Sequence, residues 1–317
     1  MKDIRIVFMG TKEFSEVVLS SLIENNYNIV LVVSQKDKEK TRKGTLIPTN
    51  TKALAEKHNI KVFQPDKIKE DYQTIIDTKP DLIITCAYGQ FIPKEVLGLP
   101  KYGSINVHAS LLPKYRGGAP IQRALINGDK TTGITIMYMD AKMDTGDIIS
   151  SAKLNIEEED TSDTLFEKLS HLGASLLEET LPSIINRTNE REKQNEEEAT
   201  YAYNITKEEE LINFKNKAIN IHNLIRGLSS NPGAYTYLNG KILKIYNTIV
   251  IDKDYDGICG EIKEITKEGF IVKTEEKSLL ITDIKLEGKN RCTTKSYLNG
   301  IKDKNTLIGT ILGDKNE

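Results

Sequence analysis

In the stretch SINVHASLLPKYRGGAPIQ (104–122), Asn106 and His108 stand two apart in an apolar run that ends in a turn-rich loop. If the run is a β-strand, side chains two apart share a face, so an amide and an imidazole aim at one point. An Asn amide donates to a developing oxyanion, and a His titrating near neutrality suits proton transfer. The plainer alternative is a pair of satisfied polar groups at a strand end. Neither group is a strong nucleophile, and no Ser or Cys stands in triad relation to them. The pair therefore points to direct transfer, in which the protein polarises a carbonyl while an external nucleophile attacks it. A third polar element, MDAKMDTGDII (139–149), puts Asp140, Asp144 and Asp147 in a turn after another apolar strand. One of these aspartates is expected to make an Asx-type turn. Another would fold over the strand ends to orient His108 or hold a water. Spacing alone does not choose among the three.

The elements that must hold these groups alternate in type. Short β-branched runs at 4–9, 28–34, 81–87, 104–109 and 133–139 are separated by helical stretches at Glu13–Glu24, Thr51–Lys57, Lys67–Thr78 and from about Ala119. Strands spaced by helices predict βαβ units, hence an α/β fold with a doubly wound, mostly parallel sheet, Rossmann-like in kind. Ligands of such sheets bind beyond the carboxyl ends of the strands. A long amphipathic helix over 162–185 carries Leu165, Leu169, Leu172, Leu176 and Leu177 along one stripe. The segment 186–202 is almost free of aliphatics and reads as a charged linker. Leu211–Arg226 reads as a helix. Strands dominate after it, with Asn239-Gly240 between two alternating runs, a strong hairpin signal. Closely spaced runs at 259–265, 269–274 and 278–284 then suggest a small barrel. The expected division is a first domain over 1–187, a linker over 188–206 and a second, OB-like domain over 207–317.

Several other chemistries find no support. The first βα turn, FMGTKEFS, has the single glycine Gly10 and no G-x-G-x-x-G, so it reads as a tight strand-to-helix turn rather than a nicotinamide site. His58, His108, His171 and His222 are isolated and no C-x-x-C occurs, so no metal is expected. A net charge of −2 gives no global attraction to nucleic acid, so any RNA contact must use local patches. Cys86, Cys259 and Cys292 are odd in number and scattered, which suits a reducing cytoplasm. No apolar run approaches the ~20 residues of a membrane span. The opening MKDIRIVFMG reads as mature structure rather than a signal peptide.

INVHASLLPKYRGGAPIQ with DTGD downstream resembles the folate-dependent formyltransferases, in which an Asn, a His and an Asp carry a formyl group from 10-formyltetrahydrofolate to an amine. By that resemblance the trio is Asn106, His108 and Asp144. FMGTKEF resembles the family's opening, with Lys12 where Pro is usual, and AYGQFIP (87–93) resembles its pterin-side loop. Contacts to the folate donor are then implied for Tyr88, Gly89, Ser110, Leu111, Leu112 and Pro113. The stretch 225–245 and the tail 286–300 are similar to the second domain of those members whose acceptor is initiator methionyl-tRNA, although Arg291–Thr293 stand where a Lys-x-Met-type sequence is common.

Other family members formylate glycinamide ribonucleotide, and these end after the first domain. Others again formylate amino sugars and can carry a similar barrel. The insertion 34–52 has six Lys/Arg against two acidic residues. A charge run is usually a solvated loop. Its Arg42-Lys43-Gly44 segment with LIP nevertheless resembles the loop laid against the tRNA acceptor stem, with Thr41 where Gly is usual and Gly44-Thr45 where lysines are common. Arg42 and Lys43 would there contact phosphate rather than read bases. Residues 207–317 carry 18 Lys/Arg and 16 Asp/Glu, so RNA binding there would depend on how charge is arranged. His222 is expected to be a packing residue, and Arg226 either caps a helix or touches tRNA. The resemblance thus implies a cytoplasmic, monomeric formyltransferase acting on initiator methionyl-tRNA for translation initiation. A non-enzymatic RNA- or folate-binding module on the same scaffold is the alternative.

Overall fold

The computed structural model describes residues 3–38, 40 and 44–313. The chain forms two compact units, one from Met1–Pro120, Thr131–Asn155 and Phe166–Tyr203, the other from Ile121–Lys130, Ile156–Leu165 and Asn204–Glu317.

The first unit is built on the strands β1 (Ile6–Gly10), β2 (Ile29–Val33), β3 (Val62–Phe63), β4 (Leu82–Cys86), β5 (Ser104–His108), β6 (Thr131–Tyr138) and β7 (Ile148–Asn155). They lie in the order β3-β2-β1-β4-β5-β6-β7. The first five are parallel; β6 runs antiparallel to β5, and β7 antiparallel to β6. This is the mostly parallel, doubly wound sheet that the alternation predicts, with its order reversing between β1 and β4. The central strands are apolar along their whole length because helices cover both faces, and every residue of β1 and β4 is buried.

Helix α1 (Glu13–Glu24) spans the expected residues; Glu13 and Glu16 complement its N-terminal dipole, and Phe14, Val18, Leu19 and Leu22 form its buried stripe. The turn before it has one glycine for a packing reason. A Cβ on Gly10 would stand 2.5 Å from the Ser15 Cβ, and Ser15 Oγ is committed to the Cys86 carbonyl at 2.6 Å. Helices α2 (Asn50–Lys57), α3 (Gln73–Asp77), α4 (Lys94–Leu97), α5 (Pro120–Ile126) and α6 (Ser162–Asn186) complete the first half of the chain. The helix expected over 67–78 is only α3. Residues 67–71 form a separate turn, because Ile68 buries its side chain while its N–H donates to Gln90 Oε1.

The second unit follows with α7 (Ala218–Leu228), β8 (Tyr235–Leu238), β9 (Lys241–Ile251), β10 (Ile262–Ile265), β11 (Phe270–Lys273), β12 (Ser278–Leu286), β13 (Cys292–Thr293) and α8 (Thr294–Asn299). Its antiparallel sheet runs β10-β11-β12-β9-β8, with β13 on β12. Asn239 and Gly240 both take positive φ, as a two-residue primed turn requires. The open edges are tied through the tail, where Leu312 N–H donates to Gly260 O and Gly313 N–H to Tyr237 O. Phe270, Val272, Leu279, Ile281 and Ile284 fill the interior with Ile221, Ile225 and Leu228 of α7. The expected helix 211–226 begins only at Ala218. Ahead of it Ile212 N–H pairs with Tyr235 O, and Ile212 and Phe214 enter the core from an extended chain. No helix among the described residues is long and apolar enough to cross a membrane.

Candidate active site

Asn106 and His108 lie on β5, paired with Met137 and Thr135 of β6. Thr85 on β4 donates from Oγ1 to Asn106 Oδ1 at 2.9 Å. With Oδ1 engaged in this way, Nδ2 is the amide's donor for another partner; the same Thr85 hydroxyl also lies 3.1 Å from the Ile105 carbonyl. His108 is buried, and its Nε2 lies 3.0 Å from the Tyr115 carbonyl. A carbonyl can only accept, so Nε2 carries the hydrogen.

Of the three aspartates that spacing left open, Asp144 is the one that comes to His108, with Oδ2 3.8 Å from Nδ1. Asp140 is occupied within its own turn by the Lys142 N–H and the Thr145 hydroxyl. Asp147 pairs with Arg191 at 3.3 Å. The loop carrying Asp144 leaves β6 at Tyr138, opposite Ile105, yet its carboxylate reaches the level of His108. It therefore folds back along the sheet instead of projecting past its edge. Gly146 permits this close packing, because a Cβ there would stand 1.9 Å from the Tyr138 carbonyl oxygen. Asp144 Oδ2 also accepts the Gly117 N–H at 2.8 Å. The separation of 3.8 Å from His108 is an ion-pair distance rather than a hydrogen bond.

Backbone strain gathers around the trio. Ala87, Tyr115 and Asp144 have φ of 45°, 61° and 54°, left-handed values that side-chain-bearing residues seldom adopt. At Tyr115 that conformation accompanies the carbonyl held by His108.

The residues expected to face the folate divide into two kinds. The Ser110–Pro113 turn is pinned by Thr135, whose Oγ1 donates to Ser110 O at 2.7 Å and accepts the Leu112 N–H at 3.1 Å. Ser110 Oγ donates to the Lys114 carbonyl, Leu112 is buried, and Leu111 packs against Gly133. The Tyr88 ring points into the core beside Val7, Met9, Leu31 and Ile83. Burial without a partner for its hydroxyl pushes that phenol up to about 12. The Tyr88 carbonyl is taken by Thr11 and Gln35, while Gly89 is exposed at φ 84°, where a Cβ would meet Gln35 Nε2 at 2.5 Å.

Arg42 and Lys43 lie outside the described residues. The base of their insertion is firmly tied. Asp37 accepts from Lys52 Nζ at 2.6 Å, Gln64 Nε2 at 2.9 Å and Thr49 N–H at 3.2 Å. Burial alone would raise the Asp37 carboxyl, but these donors hold it below its ordinary range. In the second unit, Arg226 is buried and donates to Asn223 Oδ1 and to the Glu157 carbonyl, so it is a structural cation. His222 packs with Nδ1 3.0 Å from Thr248 Oγ1. Among the described residues no group of His, Cys, Asp and Glu is arranged to hold a metal ion.

Thr85, Gly117 and Thr135 orient the site, and none of them stands out in the sequence reading. Thr85 had a usable signal, being a polar residue inside the apolar run LIITCA (82–87). Gly117 and Thr135 act across distances in sequence that no local pattern reports.

The chain matches two family profiles, Formyl transferase over residues 4–181 and Formyl transferase, C-terminal domain, over 204–302. It is 47% identical over 316 residues to the methionyl-tRNA formyltransferase of Bacillus subtilis (strain 168), covering 99% of both chains. It is 44% identical over 299 residues to that of Malacoplasma penetrans (strain HF-2), covering 94% of each. Among solved structures, HypX from Aquifex aeolicus in complex with tetrahydrofolic acid superimposes with a TM-score of 0.66 at 16% identity, over 93% of this chain and 47% of that one. The chain thus spans about half the length of that neighbour, and the likeness is one of fold.

Proposed function

The chain belongs to the formyl transferase family, and from that premise we propose that it formylates initiator methionyl-tRNA with 10-formyltetrahydrofolate as donor. The enzyme is a one-carbon transferase, and its product serves translation initiation. The observation that carries this reading is the likeness, over nearly the full length, to methionyl-tRNA formyltransferases at 44–47% identity.

The chemistry needs no nucleophile from the protein. The methionyl α-amino group attacks the formyl carbon, the carbonyl pair moves onto oxygen, and collapse breaks the bond to the folate nitrogen. That nitrogen takes up the proton the amine gives away, so atoms and charge balance between the two substrates. An α-amino group of ordinary pKa, ~7.7–8.0, keeps a neutral fraction at cellular pH that is able to attack. Asn106 Nδ2 donates to the developing oxyanion, as does His108 through Nδ1 in its protonated form, in a site where such donors are worth more than in water. Asp144 holds His108 and assists the proton on its way to the leaving nitrogen. Holding both substrates side by side removes the entropic part of the bimolecular barrier.

The Ser110–Pro113 turn and the backbone at Tyr88–Gly89 form the folate wall, with the Tyr88 ring acting from the core as support. Arg42 and Lys43 meet acceptor-stem phosphate. The first domain, 1–187 with the segment 188–203 laid on it, performs transfer, and 207–317 hold tRNA. A monomer in the cytoplasm completes the proposal, and no metal takes part in it.

The test is kinetic. Asn106→Ala and Asp144→Ala should each lower kcat by about 100-fold or more, with the folate Kd changed by less than about threefold. Normal turnover in both variants would remove the roles assigned here.

A further inference from the structure

The segment read as a linker contains a polar clamp on the site. Gln194 donates from Nε2 to two carbonyls of the turn that carries Asp144, Asp144 O at 2.9 Å and Gly146 O at 2.8 Å. Its Oε1 accepts from Arg116 Nε at 3.0 Å and Nη2 at 2.9 Å. Both donors and both lone pairs of the amide are in use, so it cannot flip without setting oxygen against two carbonyls and NH2 against a cation.

Arg116 is fully buried, and Glu196 closes the other side of its guanidinium with two hydrogen bonds of 2.9 Å. Glu196 and burial act in opposite directions on that cation, and the carboxylate wins, so Arg116 remains charged. Its main chain is held as well, with Arg116 N–H on Thr200 O at 2.8 Å and Ala202 N–H on Arg116 O at 2.7 Å. The two neighbours of Arg116 touch the trio, since the Tyr115 carbonyl meets His108 and the Gly117 N–H meets Asp144. One strap, 194–202, therefore grips the backbone beside His108 and the turn under Asp144 together.

We propose that Gln194, locked by Arg116, is a positioning residue for transfer, setting the turn that carries Asp144 and so the reach of its carboxylate to His108. The inference deepens the proposed function and rests on the role given there to Asp144. The strap does not touch the reacting atoms. Its effect passes through the left-handed turn at Asp144, where the Asp144 and Gly146 carbonyls have Gln194 as their common donor. Misplacement of a reacting group by ~1 Å can cost a factor of 10² in rate.

The experiment compares Gln194→Glu with wild type. The substitution keeps size and the acceptor facing Arg116 but turns the donor group into an oxygen facing two carbonyls. The expected result is a kcat lower by about 10- to 100-fold, with KM for folate and tRNA within about threefold and thermal melting retained. Gln194→Met, which removes both sets of hydrogen bonds at similar volume, gives the same reading should Gln194→Glu fail to fold. Single-turnover rates in an Asp144→Asn background separate positioning from general damage. There Gln194→Glu should add less than about twofold, because its effect is already spent. Wild-type kcat in the single variant, or an equal further loss in the double variant, overturns the inference. Full activity of Asp144→Asn alone would instead refute the role of Asp144 itself, and the inference with it.

Discussion

Gly146→Ala is a small change that should move the Asp144 carboxylate without touching it. A Cβ at this position stands 1.9 Å from the Tyr138 carbonyl oxygen and 2.8 Å from its carbon, both backbone atoms that cannot rotate away. Reaching even 3.0 Å, the shortest separation that real Cβ atoms show, requires the loop or the end of β6 to move by about 1.1 Å. Asp144 lies two residues earlier in the same loop, and the Gly146 carbonyl is one of the two held by Gln194. A shift of this size corresponds to about 100-fold in rate, or ~2.7 kcal/mol of transition-state stabilisation. The overpacking should also cost about 1–3 kcal/mol of stability, readable as an earlier urea midpoint. Steady-state formylation of methionyl-tRNA with saturating donor measures the first effect. Gly98→Ala is the comparison, since its Cβ would meet only the Lys94 carbonyl at 3.4 Å, an ordinary separation. If Gly146→Ala turned over within about twofold of Gly98→Ala, the position of Asp144 would not limit catalysis as argued.

Replacing Arg42 and Lys43 together with Ala should raise the KM for tRNA. It should also flatten log KM against log salt, by roughly 0.9 in slope for each duplex phosphate that is no longer neutralised. A change in folate binding alone would show that this segment does not meet RNA. His222 supplies a pH signature for the second unit. Burial pushes its imidazole down, the Arg226 guanidinium adds to that, and Thr248 and the Glu158 carboxylate act weakly in the other direction. The unfolded chain therefore binds the proton at a higher pH than the folded one, so this group removes stability as pH falls below its ordinary value of 6.5. Urea titrations of wild type and His222→Gln from about pH 7 to about pH 5 should diverge, wild type losing at most ~1.4 kcal/mol more per pH unit. Parallel curves would place His222 outside the pH response.

The parts of the fold that sequence makes legible are those with a local signal. Helix α1 follows from its buried stripe and acidic first turn, and the β8–β9 hairpin from Asn239-Gly240. The convergence of Asn106 and His108 needs only the two-residue period of a strand. Asp144 could not be separated from Asp140 and Asp147 because the choice depends on a loop folding back over β6, and Gly146 reports a close approach only once Tyr138 is beside it. Tyr88 reads as a ligand-facing residue, but the core cluster it shares with Val7, Leu31 and Ile83 takes the ring inward. Ile212 and Phe214 fell in a stretch with helical spacing, and pairing with Tyr235 took them into an extended chain. Residues 188–203 show almost no aliphatic pattern, so nothing local distinguishes them from a solvated connection. They join the first unit through main-chain pairing at Glu192 and Tyr201 and through the side chain of Gln194. Hydrophobic periodicity is blind to pairings of that kind.

The central claim is the acceptor, and a competition measures it directly. Purified protein is given formyl-labelled 10-formyltetrahydrofolate with methionyl-tRNA, glycinamide ribonucleotide and a 4-amino sugar nucleotide, each alone and all together. The account predicts that label accumulates on methionyl-tRNA and is released by mild base as N-formylmethionine, whether or not the other amines are present. Label on either small acceptor in preference to methionyl-tRNA, or on none of the three, would contradict it.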